Sequence, residues 1–96
     1  ATKIETIGVI GGFNGWSESL PLTSEDGLFW TGTITLNEGD EDKFRCNNDW
    51  AINLGGEDQY ALVPNGANLK ATETGTFNIT LDLSVVPYAC YIDPVE

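Results

Sequence analysis

Histidine and methionine are absent from this 96-residue chain, and lysine and arginine together number four against fifteen aspartates and glutamates. Without histidine there is no ordinary general base titrating near neutrality, no Ser-His-Asp arrangement and no imidazole to ligate zinc. The formal net charge of -11 repels phosphate backbones and anionic headgroups, so neither nucleic acid nor direct membrane contact is expected of this domain. No apolar run reaches membrane length, and no charged-then-apolar leader opens the sequence, so the chain is expected to be a segment excised from a longer protein. Cysteine is nearly absent too. Cys46 and Cys90 lack a Cys-x-x-Cys partner, which argues against structural zinc and leaves two readings, a pair of buried thiols or one disulfide.

What is present is β-structure. Runs rich in Val, Ile, Thr and aromatics recur between Gly, Asn and Asp clusters, and no segment holds helical period for three turns. Strands are expected near residues 4 to 10, 28 to 36, 42 to 48, 59 to 63, 67 to 71, 75 to 83 and 87 to 93. That pattern predicts a single all-β domain spanning 1 to 96, an immunoglobulin-like antiparallel β-sandwich of about seven strands. Trp30, Gly32, Ile34 and Leu36 alternate with Thr31, Thr33 and Thr35, and Phe77, Ile79, Leu81 and Leu83 alternate with Asn78, Thr80 and Asp82. These are the expected core stripes. Glu25-Asp26-Gly27, Asn37-Glu38-Gly39-Asp40 and Pro64-Asn65-Gly66 supply turns. On these strands Cys46 shares the face of Phe44, and Cys90 that of Tyr88 and Ile92, so both thiols point inward.

Two tryptophans end turn-rich polar segments: Trp16 after Gly11-Gly12-Phe13-Asn14-Gly15, and Trp50 after Lys43-Phe44-Arg45-Cys46-Asn47-Asn48-Asp49. An indole so placed is hard to bury completely, and it either stacks on a ligand or plugs the edge of the core. Trp30, in phase with Ile34 and Leu36, is expected to be buried with its indole N–H bonded. Lys43 and Arg45 face away from Phe44, as ligand hydrogen-bond donors or as surface ion-pair partners. Asn47, Asn53 and Asn68 suit sugar hydroxyls, and asparagine also suits turns. Aromatic rings beside cations and amides match a pyranose, whose apolar CH face stacks while its hydroxyl rim bonds. The carboxylates at Asp40-Glu41-Asp42, Glu57-Asp58 and Glu25-Asp26 raise a glycosidase pair or a structural calcium in the Asp40 or Asp58 loop, but 96 residues give little depth for a catalytic cleft and no EF-hand spacing is present. No catalytic residue, cofactor or metal is expected.

The strings VIGGFNGW, GLFWTGTITLNEGD, KFRCNNDWAINLGG and NGANLKATETGTFNITLDL, running in that order from about Ile7 to Ile92, resemble a repeated domain of the SusE/SusF-type starch-utilisation outer-membrane proteins. A more distant likeness reaches the glycogen-binding module of the AMP-activated kinase beta subunit, in which two tryptophans and a lysine hold the glucan. The resemblance maps those positions onto Trp16, Trp50 and Lys43, with an asparagine after a late glycine at Asn68. It implies a non-catalytic starch-binding domain of a cell-surface lipoprotein, held at the outer membrane by its parent's anchor, with starch or maltooligosaccharide as ligand and other glycan-uptake proteins as further partners. Within this group some domains of the same fold are spacers, and the competing expectation is a structural spacer or protein-interaction domain of the same fold without ligand binding. Asp42 departs from the pattern, standing where an apolar residue is expected, so that strand is expected to begin late or to bulge.

Overall fold

A computed structural model describes residues 4–95. Two antiparallel sheets face one another, and no α-helix occurs among the described residues. One sheet contains β1 (Ile7–Gly11), β2 (Leu20–Pro21), β4 (Glu41–Cys46), β5 (Asn53–Gly55), β6 (Val63–Pro64) and β7 (Leu69–Lys70). Its order is β2-β1-β4-β5-β6, with β7 also on β4. The other sheet contains β3 (Phe29–Leu36), β8 (Gly75–Asp82) and β9 (Ala89–Pro94), in the order β3-β8-β9. A short 3-10 turn, Gly12–Asn14, follows β1.

The inward faces meet in one apolar cluster. Ile7 and Val9 of β1, Phe44 and Cys46 of β4 and Leu54 of β5 pack against Ile34, Leu36, Phe77, Ile79, Leu81 and Cys90 of the second sheet. Both stripes read from the sequence lie in this core, except that Asp82, expected outside, is buried. Ser84 satisfies it, its amide donating to Asp82 Oδ1 at 2.8 Å and its hydroxyl at 2.5 Å. Trp30 packs against the cluster and its Nε1–H donates to the Gly27 carbonyl at 3.0 Å. Cys46 and Cys90 are buried free thiols.

Nine strands form among the described residues rather than about seven. The additions are β2, a short edge that tolerates Pro21, and β5. β5 hides in Asn53-Leu54-Gly55-Gly56, which reads as loop because of its glycines. Gly55 is small for a packing reason: a Cβ there would lie 2.3 Å from the Ala67 carbonyl oxygen and 2.9 Å from Lys43 Cε. The strand expected over 59 to 63 shrinks to Val63–Pro64 because Asp58 to Ala61 turns, with Ala61 N–H donating to Asp58 O at 3.0 Å. Leu62 then bridges Tyr88, carrying the chain from β9 back to β5.

Asp42 produces neither a late start nor a bulge. β4 begins at Glu41, and its register with β1 runs unbroken from Ile7↔Cys46 to Gly11↔Asp42. The alternation that turns Phe44 and Cys46 inward therefore turns Asp42 inward as well. It is 2% exposed, and its Oδ1 has no hydrogen-bond partner. Burial first, and the charge of Asp40 second, push its carboxyl from the usual 3.8 up to about 7.

Candidate functional site

The opposite face of β4 carries Lys43 and Arg45. Cross-strand partners put Ile10 and Gly8 of β1 beside them on one side, and Asn53 pairs with Arg45 on the other. Ile10 is fully buried yet outside the inter-sheet cluster, so this outer face has an apolar underlay of its own. The two loops that cover it carry Trp16 and Trp50.

The first loop is laced by Asn14. Its Oδ1 accepts from the Gly11 amide at 3.1 Å, its Nδ2 donates to the Glu18 carbonyl at 2.6 Å, and its own carbonyl accepts from the Ser17 hydroxyl at 2.9 Å. Gly15, at φ 68, reverses the chain, and Trp16 follows in the left-handed region at φ 59, its amide donating to Gly11 O at 2.9 Å. A bulky residue seldom adopts that conformation, which costs about 1 to 3 kcal/mol and persists only where the surroundings impose it. The second loop leaves β4 through Asn47 and Asn48, at φ 54 and φ 51. It is closed by Asp49 Oδ1 accepting from the Ala51 amide at 3.0 Å and by Asn53 Nδ2 donating to the Trp50 carbonyl at 3.0 Å. Asn65, the remaining non-glycine residue at positive φ among those described, accepts from Asn53 Nδ2 at 3.0 Å. All four non-glycine residues at positive φ among those described thus sit in, or brace, the segments that present the two indoles.

Those indoles meet. The Trp16 and Trp50 ring centroids lie 6.1 Å apart with planes tilted by 32°, and the rings remain 37% and 44% exposed. Neither is a core plug. Arg45 ties the assembly together. Its guanidinium carbon lies 5.2 Å from the centre of the Trp50 ring, its Nε donates to Ser19 Oγ at 2.9 Å, and its Nη2 donates to Asn48 Oδ1 at 2.6 Å. Asn48 Oδ1 also accepts from the Ser19 amide at 3.4 Å, linking the Trp16 loop to the Trp50 loop.

The expected site residues therefore divide. Trp16, Trp50 and Arg45 come together. Arg45 is only 7% exposed, so it supports the indoles from beneath rather than standing free as a surface ion-pair partner. Lys43 lies on the same face, half-buried, its stem against Gly55 and its ammonium pKa pushed down by burial. Asn53 is buried and holds Trp50 in place from behind. Asn47 turns away: its Oδ1 accepts from the amides of Glu5 and Thr6 at 2.7 and 3.1 Å, pinning the segment before β1. Asn68 is exposed just before β7, in a shallow depression with Glu41, Glu57 and Lys70. Asn14, Ser19 and Asn48 went unread in the sequence. The FNGW turn was the available signal for Asn14, whereas nothing local distinguishes Asn48 from Asn47.

The platform offers two apolar ring faces flanked by amides, a hydroxyl and a cation. Among the described residues no three Asp, Glu or Cys gather closely enough to hold a metal ion. Neither a protein-family model nor a curated protein sequence matches this chain.

Proposed function

We propose that this domain binds α-1,4-glucan, as starch or maltooligosaccharide, without cleaving it, and that it belongs to a SusE/SusF-type lipoprotein of the bacterial outer membrane surface. The observation that carries the reading is the tilted, half-exposed Trp16–Trp50 pair, held on strained loops that Arg45 and Asn48 tie together. A protein maintains such strain and exposes two indoles together where the surface has a use. A 32° tilt matches a curved glucan, whose successive sugar faces turn, better than a flat cellulose chain, which favours coplanar rings. Lys43, on the same face of β4, and the side-chain amide of Asn48, on the Trp50 loop, are assigned to the hydroxyl edge.

The energetics agree with a modest affinity. If each indole removes about 100 Å² of apolar surface from water, two supply about 5 kcal/mol, and about four hydrogen bonds at about 1 kcal/mol each bring the total to about 9. Association costs of about 4 leave about 5 kcal/mol, a dissociation constant between about 10 μM and the millimolar range. Calorimetric titration with maltoheptaose and with cellohexaose tests the reading. Saturable heat with the first and at least tenfold weaker heat with the second is expected. Equal affinity for both removes the α-glucan assignment, and silence with both at several millimolar makes the domain a spacer.

A further inference from the structure

A second aromatic pair lies on the other sheet. Tyr91 projects from the outer face of β9, opposite Thr80 of β8, while its neighbour Cys90 points into the core. Tyr60 projects from the loop that precedes β6. Their ring centroids are 5.9 Å apart with planes tilted by 47°, and the rings are 59% and 38% exposed for Tyr60 and Tyr91. The separation nearly equals that of the tryptophan pair, on the opposite side of the sandwich.

This patch is built rather than frayed. The Tyr60 loop is fastened to β9 by Cys90 N–H donating to Gln59 O at 2.8 Å, Gln59 Nε2 donating to Cys90 O at 3.1 Å and Leu62 N–H donating to Tyr88 O at 2.7 Å. Asp58 Oδ1 accepts from the Tyr60 amide at 2.8 Å, and the Tyr91 hydroxyl lies 3.5 Å from Asp82 Oδ2. The backbone that carries both tyrosines is thus held in place before any ligand arrives, so the loop itself needs little ordering on binding. The rim is hydroxyl and carboxylate: Thr80 beside Tyr91, Asp58 at the base of the loop, and Asp93 two residues further along the same face of β9. Carboxylates repel anions and a second copy of this acidic chain, and they accept hydrogen bonds from neutral polyols.

The geometry points to Tyr60 and Tyr91 as a second, weaker carbohydrate site, taking the same neutral glucan by ring stacking and making the domain bivalent across its two faces. This inference rests on the α-glucan reading of the tryptophan platform. Phenol rings present less apolar surface than indoles, so the site fills at a concentration at least about tenfold higher.

Titration of the 15N-labelled domain with maltoheptaose, followed by amide and indole N–H shifts, reads the two sites separately. The expected result is an early saturable shift of the Trp16 and Trp50 indole signals and a later saturable shift of the Gln59, Tyr60, Ala61 and Tyr91 amides. Tyr60→Ala, at an exposed position whose loop is held by backbone bonds, should abolish the later shifts and leave the early ones unchanged. Indole shifts without any response at residues 59 to 61 and 91 overturn the second site and leave the first standing. Silence at both overturns both. Shifts at the tyrosines produced by a lysine- and arginine-rich peptide at lower concentration than by maltoheptaose overturn the glucan assignment in favour of a cationic protein partner.

Discussion

Replacing Asp42 with asparagine should make the domain more stable, and by an amount that depends on pH in a defined way. The carboxyl lies between the sheets at 2% exposure, with Asp40 on the preceding loop and Cys90 facing it from β9, and its Oδ1 lacks a partner. Cys90 reports the same surroundings, its thiol being pushed up to about 12 by burial and by Asp42. A carboxyl with a pKa of 3.8 unfolded and about 7 folded binds a proton more tightly in the native state. Its stabilising contribution is complete below about pH 4 and is lost as the pH rises through about 7. The gap corresponds to about 4 kcal/mol, a large part of the 5 to 15 kcal/mol typical of a small domain. Asn cannot ionise. Asp42→Asn should therefore match the parent near pH 4 and exceed it by about 4 kcal/mol at pH 8, with the difference growing between those limits. Urea denaturation followed by tryptophan fluorescence at unit pH steps measures it, and the other carboxylates cancel in the comparison. A difference that stays constant from pH 4 to pH 8 would refute the reasoning and put the ionised carboxylate in contact with water.

Trp16→Ala and Trp50→Ala should each remove most maltoheptaose affinity by calorimetry while barely shifting the urea midpoint; an unfolded variant would return that ring to the core. Trp30→Ala should do the reverse, losing about 3 to 5 kcal/mol of stability on denaturation, since it packs on the cluster and leaves the Gly27 carbonyl without its donor. Arg45→Lys should weaken binding several-fold in the same titration, because an ammonium cannot both face the Trp50 ring and fork to Ser19 and Asn48; wild-type affinity in that variant would remove Arg45 from the support of the platform. Maltoheptaose affinity should stay flat from pH 5 to 8 and unchanged by EDTA, because Asp42 titrates on the opposite face of β4; a tenfold fall with the chelator would reveal a metal-dependent site.

The class of fold was legible because period-two alternation in β3 and β8 follows directly from which face is wet. The pairing of Trp16 with Trp50 was foreshadowed by two turn-ending indoles, and the inward side of Trp30 by its phase with Ile34 and Leu36, although that indole is only partly buried against the core. Close approach was invisible: Gly55 looks like loop until the Ala67 carbonyl is seen where its side chain would be. Residue type also failed to give direction. Asn47 and Asn48 are identical neighbours at nearly the same φ, yet one pins Glu5 and Thr6 while the other joins Arg45 to Ser19, and that choice belongs to contacts far along the chain. Arg45 read as a surface cation because alternation places it outside, and only the two covering loops bury it. Asp42 was noticed as a departure, but unbroken register with β1 decided that the strand would carry it inward.

The most direct test of the tryptophan platform is maltoheptaose calorimetry on the wild-type domain beside the Trp16→Ala/Trp50→Ala double variant, with both first confirmed to be folded by urea denaturation. A saturable wild-type isotherm, with affinity at least tenfold weaker in the double variant, is the predicted result. An absent wild-type isotherm at several millimolar, or equal affinity in the folded double variant, would contradict it.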